Sequence, residues 1–185
     1  MPLFALLFTI MLAQATQPAP QPTATPDWHV YNDPAMHFVA PAGFLPVGQR
    51  QVPLDKLSDD PVVVAGWIYP KQDHQRRLII EQESFSGSAG DFADAFKGQL
   101  RDQTDSSFFK DEENITLSNG MPAVFFTMNS GEGFDAKKSF FIVWADGERG
   151  VAVGIQTSLE DIDSETARRL MLTDLSAVRY PLNNQ

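Results

Sequence analysis

Met121-Pro-Ala-Val-Phe-Phe-Thr-Met128, Lys137-Lys-Ser-Phe-Phe-Ile-Val-Trp144 and Gly150-Val-Ala-Val-Gly-Ile-Gln-Thr157 are the three segments whose reading decides the fold. Each is rich in β-branched and aromatic residues and bounded by turn formers, which predicts three consecutive strands. Asn119-Gly120 turns into the first, residues 130–135 form a polar loop with two glycines, and Asp146-Gly147 is a hairpin signal. The first two segments are apolar on both faces, so the sheet they build is covered on both sides. In the third, Val151, Val153 and Ile155 alternate with Gly150, Ala152 and Gly154, a small-residue face on which a helix or another backbone can lie close.

Working outward, Trp28–Tyr31 and Met36–Ala40 flank an Asn32-Asp33-Pro34 turn and predict a hairpin, with Trp28, Tyr31, Phe38 and Phe44 closing one end of the core. Residues 48–61 are polar, with Pro53, Pro61 and three aspartates, and read as a loop. Pro61–Tyr69 and Arg76–Phe85 predict two further strands. Phe92, Phe96 and Leu100 recur at helical spacing, which lays one stripe on the sheet and sends Lys97, Arg101 and Asp102 to solvent. Glu113–Ser118 reads as a short strand. Ser158-Leu-Glu-Asp161 reads as a capping box opening a helix that runs to about Val178 and buries Ala167, Leu170, Met171, Leu175 and Val178. Strands in hairpins with single helices between them predict an α+β fold with an antiparallel sheet.

The chain has 185 residues, no cysteine and a formal net charge of −10. That removes disulfides and thiol chemistry, and argues against nucleic acid or an anionic membrane surface as partners. Leu3–Leu12 is an apolar run followed by Ala13-Gln14-Ala15, so residues 1–15 read as a signal peptide, too short to span a bilayer. Residues 16–27, with Pro18, Pro20, Pro22 and Pro26, read as a proline-rich linker. Residues 28–181 form one α+β domain and residues 182–185 a disordered tail. The mature protein is expected to be exported, periplasmic or secreted, or anchored if the leader stays uncleaved.

Motifs that could carry chemistry give weak returns. Gly131-Glu-Gly-Phe-Asp-Ala136 has the glycines of a dinucleotide loop, but a strand follows where a helix is required. Ser107-Phe-Phe-Lys110 has a Ser-x-x-Lys spacing without the companion motifs. Asp161, Asp163 and Glu165 resemble the start of a calcium loop, yet Thr166 and Leu172 stand where the loop needs glycine and an acid. Asn114-Ile-Thr116 is a glycosylation sequon that matters only in a eukaryotic host. No cofactor and no metal site are implied.

The segments Tyr31-Asn-Asp-Pro-Ala-Met-His-Phe-Val-Ala-Pro-Ala-Gly-Phe44 and Leu117-Ser-Asn-Gly-Met-Pro-Ala123, the strand triplet, and the closing Val178-Arg-Tyr180 together resemble the PsbP-like family. That family includes the extrinsic photosystem protein PsbP, a Ran-binding import factor and exported bacterial proteins. The resemblance covers about Trp28 to Tyr180 and implies an α/β/α sandwich serving as a non-catalytic accessory or binding module. Its partner would be a protein or small ligand in the cell envelope. The loop holding Glu132 and Asp135 is the first place to seek that contact, because loops carry function on such scaffolds. The rival expectations are a hydrolase using two or more of His29, His37, His74, Glu81 and Glu83, and an envelope structural protein.

Overall fold

The computed structural model describes residues 27–70, 76–104, 106–133 and 136–177. The signal-peptide, linker and tail readings therefore lie outside the described residues, as do His74, Asp135, Val178 and Tyr180. Strands β1 (Val30–Asn32) and β2 (Met36–Val39) form the expected hairpin, followed by β3 (Leu45–Gln49), β4 (Val62–Tyr69) and β5 (Arg76–Ser84). Helix α1 (Ala89–Gln103) leads to β6 (Phe108–Thr116), β7 (Pro122–Ser130), β8 (Lys137–Ala145) and β9 (Arg149–Ser158). Helix α2 (Ser164–Thr173) and β10 (Leu175–Ala177) close the described chain.

Seven strands make one antiparallel sheet in the order β3-β4-β5-β9-β8-β7-β6. The chain crosses from β5 to the far edge through α1, then returns strand by strand until β9 pairs with β5. The opening hairpin is extended by β10 into a separate three-stranded sheet, β1-β2-β10.

The α/β/α sandwich expectation is overturned here. The protein is mostly β, 48% strand against 20% helix among the described residues, with two α-helices. The reason lies on the second face of the main sheet, where the three-stranded sheet packs beside α2 in place of a helical layer. Tyr31, Met36, Phe38, Leu175 and Ala177 of that small sheet share one core with Trp67, Ile80, Phe140, Trp144 and Val153 of the large one. The closing helix ends at Thr173, and Leu175 and Ala177 are buried as alternate residues of a strand.

The opposite face carries α1. Phe92 and Phe96 pack on Val124, Phe126, Phe141 and Ala152, each buried large apolar side chain contributing roughly 1.5–3 kcal/mol. The small-residue face of β9 works as expected: a Cβ on Gly150 would collide with the Phe92 ring, so glycine lets α1 seat. Ser88 caps α1, its Oγ accepting from the Asp91 amide at 3.1 Å while Asp91 accepts from the Ser88 amide at 3.0 Å.

Several local expectations change. Ser158 stays in β9, and Asp163 instead caps α2 by accepting from the Thr166 amide at 2.7 Å. β6 starts at Phe108 and β3 occupies part of the expected loop. Lys97 is buried between α1 and β6, where it bonds Asp94 and Glu112, each at 2.8 Å, and sits over the Phe126 ring. Trp28 is 43% exposed and does not close the core.

Candidate functional site

Three consecutive residues of β5 separate structure from opportunity. Side chains alternate along a strand, so Gln82 faces the three-stranded sheet while Glu81 and Glu83 face α1. On the Gln82 side the buried charges Asp33 and Arg149 are paired with each other. Asp33, in the turn between β1 and β2, accepts from the Tyr31 hydroxyl at 2.7 Å and from Gln82 Nε2 at 2.6 Å. It also accepts from Arg149 Nη1 at 3.2 Å and from the amides of Ala35 and Met36 at 2.7 and 2.9 Å. Arg149 donates in turn to Gln82 Oε1 at 2.8 Å. This buried network fastens the small sheet to β5 and β9, and buried ion pairs of this kind serve registry better than net stability.

The α1 side is different. The helix packs against β7 and β8 and leaves a groove along β9 and β5. A cavity of about 270 Å³ lies there, floored by Ile79, Phe141 and Gly154, walled by Phe96 and Leu100, and edged by Glu81, Arg77 and Gln156. A second, more open cavity of about 650 Å³ adjoins it around Glu83, Asp59, Leu54 and Glu148. Gln99 of α1 lines both. Its Nε2 donates to Glu83 at 2.9 Å, and its Oε1 is buried without a hydrogen-bond partner among the described residues. Beyond the groove the same sheet face remains open at Leu45 and Val63, 54% and 45% exposed.

Among the described residues, no ion pair reaches Glu81 or Glu83. Arg149 sits opposite Ser84 in register and projects through the other face, where Asp33 takes it. Glu83 is only 3% exposed. Burial pushes the Glu81 carboxyl above its usual range, and the neighbouring Glu83 pushes it further. Burial likewise raises Glu83; the Gln99 hydrogen bond offsets part of this, and Asp59 and Asp60 add to it. Arg77 shares the Glu81 cavity without an ion pair to either acid, so a half-buried Glu81 and a buried Glu83 depart from the rule that buried charges are paired.

The structure brings Glu81 and Glu83 to one face but leaves the histidines elsewhere. His29 lies opposite Ala40 and His37 opposite Asn32, at the two ends of the small hairpin, on the far side of the main sheet. Glu132 is exposed beyond the end of β7, in a loop where Gly131 and Gly133 take positive φ of 75° and 59°. Asp161 and Asp163 serve separate donors, Asp161 accepting from Arg76 at 2.5 Å and Thr157 at 2.9 Å. Among the described residues, no group of three or more His, Cys, Asp or Glu side chains is placed to hold a metal. Nor is any described helix long and apolar enough to cross a membrane. Gln99 has no sequence signal beyond its place one residue before Leu100 on the helical stripe. No protein-family model matches the chain, and no curated protein matches it.

Proposed function

We propose that the protein is an exported binding module that holds a small, apolar, positively charged molecule in the groove beside α1. Its residence outside the cytoplasm rests on the apolar run and small-x-small site of residues 1–15. One observation carries the ligand reading: Glu81 and Glu83 line adjoining cavities without a cationic partner among the described residues. A ligand ammonium group would supply the missing charge, and its apolar part would cover Ile79, Leu100 and Phe141. A cavity of this size suits a compact ligand, at the lower end of ordinary binding sites. The two cavities are lined by Glu81, Glu83, Asp59 and Glu148 against Arg77, an acidic balance in a protein of net charge −10 that favours capture of cations from solution.

The test compares three molecules of equal apolar size, butylamine, butanol and butyrate, by amide chemical-shift changes in the full chain. The amine is expected to shift Ile79, Gln99, Leu100 and Gly154, and to lose that effect in Glu81→Gln. Equal responses to all three, or shifts confined to other surfaces, would overturn the proposal. Sustained turnover of an ester, phosphate or glycoside that disappears in Glu81→Gln would replace it with the hydrolase reading.

A further inference from the structure

Glu81 and Glu83 stand two residues apart on one strand face, so their anchor points are separated by about 6.6 Å, twice the strand rise. They open into different cavities that meet at Gln99. The lining between them is aliphatic and aromatic on the Glu81 side, with Leu100 and Phe96 of α1 opposite Ile79. At the Glu83 end the acidic character deepens, since Asp59 and Glu148 line the same cavity. Gln99 holds Glu83 with its amide nitrogen, so the amide side chain is fixed at the junction of the two cavities.

We infer that the groove takes an aliphatic diamine or longer polyamine, one ammonium at Glu81 and the next at Glu83. This rests on the binding-module reading above and narrows its ligand class. A monoamine satisfies one carboxylate and leaves the second buried without a counter-charge. A diamine with a short methylene chain satisfies both and lays its carbons across the apolar floor. The neutral amide at the junction suits this role: a cation there would repel both ammonium groups, whereas Arg77 lies four residues from Glu81 along β5, away from Glu83, and an apolar side chain would remove the Gln99 hydrogen bond to Glu83. The open cavity at the Glu83 end, with Asp59 and Glu148 on its wall, has room for the continuing chain of a triamine.

Isothermal titration of the full chain at moderate ionic strength, with diaminobutane, butylamine and magnesium chloride as probes, tests this. Diaminobutane is expected to bind at least tenfold more tightly than butylamine, and magnesium to give no site-saturating heat. Glu83→Gln should remove the advantage of diaminobutane over butylamine, and Glu81→Gln should abolish binding of both. If butylamine binds but diaminobutane binds no tighter, the polyamine inference fails and the groove reading survives. If neither amine binds the folded wild-type chain, both fail. If diaminobutane binds tightly yet Glu83→Gln does not weaken it, or magnesium competes equally, the attraction is diffuse and the inference is overturned. Glutamine matches glutamate in shape, and unchanged amide spectra away from the groove confirm that each variant is folded.

Discussion

At the residue scale, the two sides of β5 predict opposite responses to neutralisation. Asp33 answers Arg149, which is 1% exposed, so Asp33→Ala leaves a buried guanidinium short of its carboxylate. We expect a loss of about 3–5 kcal/mol, the range for breaking a buried pair, read from the denaturation midpoint in urea. Glu81 should do the reverse. Its folded-state carboxyl lies above the ordinary 4.5 because of burial and Glu83, so the native chain holds its proton more tightly than the unfolded chain does. Stability from this group therefore falls as pH rises from the unfolded value through the folded one, and the penalty persists above it. Glu81→Gln is expected to melt a few degrees higher than wild type at pH 8 and to match it near pH 4. A variant that melts lower at pH 8 would mean the carboxylate has a partner in the native protein. Greater stability with lost binding is the trade expected of a site kept for function.

Helix α1 and strand β9 show, at the element scale, how much the residues announced. The three central strands were legible because their apolar runs end at Asn119-Gly120 and Asp146-Gly147, and α1 because Phe92, Phe96 and Leu100 repeat at its period. The close approach of α1 was legible in Gly150, and Gly150→Ala should cost about 1–3 kcal/mol by forcing Phe92 aside. The cap was in the sequence too, as Ser88 three residues before Asp91, but it sits in a Ser-Gly-Ser-Ala-Gly stretch that also reads as a breaker. Ser88→Ala should lose about 1 kcal/mol, measured as a lowered unfolding free energy with unchanged native helicity. Other elements were hidden for physical reasons. Pro46 and Gly48 disguise β3 as a loop, and the chain indeed bulges between them. Leu175, Ser176 and Ala177 continue the apolar spacing of α2, and so short an alternation cannot be told from a helical turn. Lys97 reads as a solvated position until β6 brings Glu112 against it.

For the whole molecule, the main sheet serves two cores at once. The larger joins it to the three-stranded sheet and α2, the smaller to α1, and both use β7, β8 and β9. Neither core can be lost without exposing the strands that support the other, so heating should give one transition with equal calorimetric and van't Hoff enthalpies. Two resolved transitions would show that the small sheet melts on its own, and a chain that melts only with a partner present would favour an envelope structural role. This architecture also explains why the candidate site was only half legible. Glu81 and Glu83 were visible as acids in a strand, but their isolation depends on two tertiary facts. α1 lies over β7 and β8, not over β5, and Arg149 is consumed by Asp33 across the sheet. The most direct measurement is a carbon-detected NMR titration of the Glu81 and Glu83 side-chain carboxyls, with and without saturating diaminobutane. Both should titrate above the ordinary carboxylate range in the free protein and move to lower pH when the diamine is present. Carboxyls that titrate normally, and stay where they are when diaminobutane is added, would contradict the account.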